Sequence, residues 1–167
     1  ATNQSNTTAR RRESYMRGRQ RPLMRLYDRE PEAARIVDGA RTVLGTHLRH
    51  DPVHGELLVG TSQPLAVPVS VHSAVGGDHD GPNPGDYLVA ALVGCFDTTL
   101  RIIADRYGVQ LETLSISGKA ELDVRGTLCV DPDVEVGFQR LELSVAIAAP
   151  AVDDGQLQIL VAAAEHC

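Results

Sequence analysis

Tryptophan is absent from this chain of 167 residues, and Phe and Tyr supply only 4% of it. A core drawn from 43% apolar residues must then be aliphatic, filled by Leu, Val, Ile and Ala. Long apolar runs are missing as well. The longest, Tyr87 to Val93 before Gly94, falls far short of the roughly 20 residues that cross a bilayer. No charged-then-apolar leader precedes the first structured segment, so a reducing cytoplasm is the expected compartment. Cysteine is scarce and odd in number (Cys95, Cys129, Cys167), which argues against a disulfide framework. The patterns G-x-S-x-G, G-x-G-x-x-G and the P-loop do not occur, which argues against α/β-hydrolase, dinucleotide and P-loop chemistry.

What charge there is divides unevenly. Residues 1–30 hold eight Arg against Glu13, Asp28 and Glu30, a net +5, whereas the remainder carries a net −11. An acidic body with a basic arm is not the layout of a nucleic-acid-binding domain. Tyr15 and Tyr27 are also too few to stack bases. Residues 1–18 are therefore expected to be a mobile Arg-rich arm, solvated and partly docked on the acidic body or across a dimer. No nucleic-acid partner and no membrane partner are expected.

The hydrophobic pattern then changes period several times. Residues 19–40, with apolar positions Leu23, Leu26, Tyr27, Ala33, Ala34, Ile36 and Val37, predict one or two short amphipathic helices, with Pro31 in a first turn and Gly39 at an end. Residues 41–75 predict short strands at Thr42–Leu44, Glu56–Val59 and Leu65–Val71, with Pro68 confining the last to an edge or a bulge. A loop at Gly76–Pro82 leads to the clearest helix, 83–108: Asn83 caps it, Pro84 takes the first position, Asp86 completes an N-x-x-D start, and Gly108 ends it. Residues 113–148 predict two strands, Leu114–Val124 and Phe138–Ala148, the second alternating Leu141, Leu143, Val145 and Ile147 with Glu142, Ser144, Ala146 and Ala148. A last helix spans 153–167. Strands segregated around one long helix make an α+β domain over residues 19–167.

The chemistry centres on thiols. Cys95 shares a helical stripe with Leu88, Ala91, Leu92, Thr99 and Ile102, which predicts an apolar, packed setting. Free cysteine often serves there as a small hydrophobe. A nucleophilic cysteine must instead be a thiolate, and burial among aliphatics raises its pKa. Lowering a thiol from about 8.5 to about 6 needs roughly 3 kcal/mol of differential stabilisation. Cys95 lies three turns beyond the helix N-terminus, outside the reach of the dipole. An active thiol here therefore requires an arginine pointing into its pocket.

The segments Gly81–Pro84, Tyr87–Cys95 and Thr98–Arg101 resemble the central helix of the OsmC/Ohr superfamily, the osmotically inducible proteins and organic hydroperoxide reductases. Gly108–Val109 before a strand, Asp123–Leu128, Val136–Phe138 and a terminal helix ending in Cys167 continue the likeness. Arg19–Leu23 with Pro31–Ala34 resembles the leader of one branch, so the similarity covers roughly residues 19–167. The resemblance implies antiparallel sheets wrapped around a long central helix, in an intertwined homodimer with two active sites at the subunit interface. It implies that Cys95 attacks the peroxide and becomes a sulfenic acid, and that Cys167 resolves it as a disulfide. It further implies an organic hydroperoxide substrate, a dithiol reductant of lipoyl type, no cofactor, and a role in the antioxidant stress response.

Family peroxidases place a Glu directly after the Asn-Pro of the helix start, paired with an arginine that activates the thiol. Here Gly85 stands in that place, followed by Asp86, the candidate substitute. Arg49 is the nearest candidate for the arginine, with Arg41 behind it. The resemblance also implies further chain beyond Cys167. Two other functions stay open at this point: a non-catalytic dimer binding a hydrophobic ligand at its interface, and a thiol-based sensor.

The other polar residues predict little chemistry. Cys129 has no Cys or His at metal-ligand spacing and reads as incidental. His47 and His50, three apart on a strand, point to opposite faces and cannot chelate together. His54 follows a turn, and His72 and His79 flank the glycine loop. Zinc held by Cys167, His166 and a loop histidine lacks a supporting C-x-x-C, so no metal is expected. As a base for a cysteine hydrolase His166 is poorly placed, because a neighbour on a helix points about 100° away.

Overall fold

The computed structural model describes residues 14–42 and 51–166. The expected arm up to residue 13, the end of the Thr42–Leu44 strand, His47, Arg49, His50 and Cys167 lie outside the described residues. The elements run α1 (Tyr15–Arg29), a 3-10 turn (Pro31–Ala34), β1 (Ala40–Thr42), β2 (His54–Val59), β3 (Leu65–Ser70), α2 (Pro84–Tyr107), β4 (Thr113–Leu122), α3 (Val124–Thr127), β5 (Phe138–Ala148) and α4 (Asp154–Ala164). The architecture is α+β with antiparallel sheets and one long helix, as the sequence predicts.

The chain forms two compact units. One comprises residues 35–95 and 115–145. Its first sheet has the order β1-β2-β3, antiparallel throughout, with Ala40 opposite Val59 and His54 opposite Ser70. Pro68 faces Glu56 on the outer strand of that sheet, where its missing N–H breaks no inner ladder. A second sheet pairs β4 with β5. The first half of α2 lies on it at Gly118. A Cβ there would fall 2.8 Å from Val89, 2.9 Å from Val93 and 3.1 Å from Leu143, so only glycine admits this approach. Strand β4 stops at Leu122 rather than Val124, because the Asp123 carboxylate accepts the backbone N–H of Arg125 and starts the short turn α3.

The other unit comprises residues up to 34, with 96–114 and 146–167. Its buried side chains are Phe96, Leu100 and Ala104 on α2, Ala149 after β5, and Leu160 and Ala164 on α4. All are aliphatic or small except one Phe, as the scarcity of aromatics requires. Helix α2 ends where Gly108 takes φ +71, with Val109 N–H bonded to Ala104 O at 2.8 Å. Helix α4 opens on a capping box between Asp153 and Gln156. Helix α1 begins at Tyr15, inside the span expected to be a mobile arm. Ser14 caps it, its hydroxyl accepting Arg17 N–H at 3.0 Å and donating to Asp105 at 2.5 Å, while Met16 N–H also bonds Asp105 at 2.8 Å. The expected end at Gly39 is not a helix end; the chain runs irregularly from 35 to 39.

Candidate functional site

The direction of Cys95 follows from how α2 is held. Val89 and Val93 are committed to Gly118 and Leu143 of the sheet. At about 100° per residue, Cys95 points roughly 160° away from Val93 and shares its side with Leu88 and Ala91. Leu88 is 56% exposed, and Ala91, Gly94 and Cys95 are exposed with it. This corrects the packed setting expected for Cys95. A helix that is apolar all round has two apolar faces, and among the described residues the sheet covers the one that bears Val89 and Val93. The cysteine stands on the other, accessible to a reagent.

The start of α2 is closed by its own polar residues. Asn83 Oδ1 accepts the N–H of Gly85 at 2.8 Å and of Asp86 at 3.3 Å. In return Asp86 Oδ2 accepts Asn83 N–H at 2.9 Å and Nδ2–H at 2.6 Å. The predicted N-x-x-D start is thus present, and one oxygen of Asp86 is engaged in it. A Cβ on Gly85 would lie 2.9 Å from Asn83 Oδ1 and 3.3 Å from the Phe138 ring, so a larger residue here must push aside the capping oxygen of Asn83 and crowd that ring. Arg41 is exposed on β1, opposite Leu58. Cys129 is exposed at φ +56 in the turn after α3, its N–H bonded to Gly126 O at 3.1 Å. No cluster of three or more His, Cys, Asp or Glu able to hold a metal occurs among the described residues.

Further along α2, in the other unit, Arg101 holds Asp97 through Nε at 2.8 Å and Nη2 at 3.0 Å. The guanidinium lowers the Asp97 pKa from 3.8, and the carboxylate raises that of Arg101.

A polar network that the sequence reading passed over joins the loop entering α2 to the first sheet. His54 Nδ1 lies 2.7 Å from Asp51 Oδ2, and Nε2 lies 2.9 Å from Asp80 Oδ1. With a carboxylate on each nitrogen, the ring donates twice only as the imidazolium. Ser70, 3% exposed, donates to the same Asp80 oxygen at 3.0 Å, and its N–H bonds Pro82 O at 2.9 Å. Asp51 also accepts the N–H groups of Val53 and His54, each at 3.1 Å. This Asx turn was readable as Asp51-x-x-His54. The bond to Asp80, 26 residues away, was not.

The carboxylates raise the His54 pKa above 6.5, Asp51 foremost and Asp80 next, and His54 lowers both Asp pKa values below 3.8. For the histidine, the linked stability is present below pH 6.5 and fades as pH rises through its raised pKa. For the aspartates it is present above pH 3.8 and fades as pH falls through their lowered values. The melting temperature should therefore crest between about pH 4 and 6.5 and decline on the alkaline side. His54→Gln should lower the crest and flatten that alkaline decline; an unchanged profile would remove the network from any account of stability.

Comparisons with known proteins agree with this architecture. A family model described as OsmC-like protein matches residues 77–167. Among solved structures, an organic hydroperoxide resistance protein OsmC from Legionella pneumophila is 20% identical, covering 80% of this chain and 85% of that one at a TM-score of 0.56. An organic hydroperoxide resistance protein from Elizabethkingia anophelis is 19% identical, covering 80% and 84% at 0.57. An OsmC-like protein of unknown function from Vibrio cholerae is 12% identical, covering 79% and 89% at 0.60. At these identities the likeness speaks for the fold. No curated protein matches the chain.

Proposed function

Because the chain belongs to the OsmC-like protein family, we propose that it is a thiol-dependent peroxidase for organic hydroperoxides, working in the cytoplasm as a homodimer. The Cys95 thiolate attacks the distal oxygen of ROOH, the O–O bond breaks, and the alkoxide takes a proton to leave as ROH. Cys95 is then a sulfenic acid. The Cys167 thiolate attacks its sulfur, forming the Cys95–Cys167 disulfide and releasing hydroxide, which is protonated to water. A dithiol of lipoyl type reduces that disulfide by exchange, its own two thiols becoming a disulfide and restoring both cysteines. No cofactor takes part.

The observation carrying this reading is that Cys95 is exposed on an otherwise apolar stripe with Leu88 and Ala91. A second copy laid over the stripe would exclude water around the thiol and present greasy walls to a fatty or aromatic hydroperoxide. The names of two solved relatives, organic hydroperoxide resistance proteins, favour the same substrate class. Arg49 is the proposed activating cation. Asp86 is its proposed counter-ion, through the oxygen that the helix cap leaves unused.

A second reading is favoured by position 85. With Gly85 held against Asn83 and Phe138, the glutamate of the family peroxidases has no counterpart there. The same dimer would then bind a hydrophobic ligand, or sense oxidants, with a sluggish thiol. The pKa of Cys95, read from thiolate absorbance in a Cys129→Ser background, separates the two. A value below about 7 supports the peroxidase, and one above about 8.5 favours the binding module.

A further inference from the structure

Helix α1 has two unlike faces. At about 100° per residue, Arg17, Arg21, Arg25 and Arg29 fall in one sector of about 120°, and all four are exposed. Met16, Gln20, Leu26 and Tyr27 lie on the other side and are half-buried. The sector is bordered by Met24, 61% exposed, and by Tyr15, 66% exposed, over whose ring Arg19 lies at 5.3 Å. Among the described residues, none of the five arginines of α1 forms a salt bridge with a carboxylate. Arg17 donates to Arg106 O at 2.6 Å, Arg19 to the Tyr15 hydroxyl at 2.6 Å, and Arg29 to Arg25 O at 3.2 Å. Asp28 is the lone acidic residue of α1, so the helix carries a net +4 in a chain of net −6.

We propose that this arginine face docks on a bilayer surface rich in anionic headgroups. The charge is complementary, and arginine accepts paired phosphate or carboxylate oxygens. The exposed thioether and phenol at its margins fit the boundary between headgroups and acyl chains, where an interfacial helix seats its apolar atoms. A nucleic acid fits less well, since the sector between those margins holds no aromatic face on which bases could stack. The composition alone predicted no membrane partner. Folding changes that reading by gathering four arginines on one exposed face of a helix whose opposite side is half-buried. The docking stands apart from the thiol chemistry, so Cys95→Ser should bind vesicles as the parent does.

The test is sedimentation of the full chain with vesicles containing about one-third anionic lipid, against vesicles of neutral lipid alone. Binding to the anionic vesicles only is expected, and it should be lost on raising salt from about 0.1 M to about 0.5 M. Arg21→Gln with Arg25→Gln should weaken it about 30-fold, taking roughly 1 kcal/mol per arginine near such a surface. Met24→Ser should weaken it without changing the salt dependence. The proposal is overturned by equal binding to neutral vesicles, by salt-insensitive binding of the parent chain, by binding unaffected in a folded arginine variant, or by tighter binding to a single-stranded RNA than to the vesicles.

Discussion

Cys95→Ser should reduce hydroperoxide turnover by about 10³-fold or more, the scale on which removing a nucleophile acts. A serine hydroxyl at neutral pH is neither ionised nor soft enough to attack the O–O bond. Cys167→Ser should behave differently. Attack by Cys95 still occurs, so one equivalent of cumene hydroperoxide is consumed in a first burst. Turnover with a lipoyl dithiol then stalls, because no disulfide forms for that reductant to exchange with. Cys129→Ser, in the turn after α3, should leave both phases unchanged. Hydroperoxide consumption followed in the three variants checks all of this. Full turnover by Cys95→Ser would contradict the assignment, and equal loss in all three would point to misfolding instead.

The second large effect concerns stability. Leu100 is 0% exposed, the largest fully buried side chain among the described residues, and shares its helix with buried Phe96 and Ala104. Leu100→Ala should cost about 3 kcal/mol through lost burial and the cavity left behind. For a chain of this size that is a fall of roughly 6–12 °C in melting temperature. Leu88→Ala, on the exposed stripe of the same helix, should change the stability of a single chain by less than about 0.5 kcal/mol. It should instead weaken self-association, which dilution followed by light scattering reads directly. Thermal melts that reversed this order would place the core on the wrong face of α2.

Residues with a local cause were legible in the sequence. The bounds of α2 followed from Asn83, Pro84 and Gly108, and β5 from its period of two, because caps, turns and alternation act over a few residues. The end of β4 was misplaced by two residues, since Asp123 prefers to cap a turn over continuing a strand. The start of α1 was missed because its N-cap Ser14 is held by Asp105, far along the chain. The face on which Cys95 stands was not legible either. A uniformly apolar helix gives no preferred side until Gly118 admits Val89 and Val93. The bridge from His54 to Asp80 was hidden for the same reason, being a contact between residues 26 apart.

The most direct test of the proposed thiol chemistry is a count of free thiols before and after one equivalent of cumene hydroperoxide, with the linked peptides identified by mass spectrometry. The expected result is the loss of two thiols per chain, a single link from Cys95 to Cys167, and no link in Cys95→Ser. An undiminished thiol count in the parent chain, or a loss that Cys95→Ser reproduces, would contradict it.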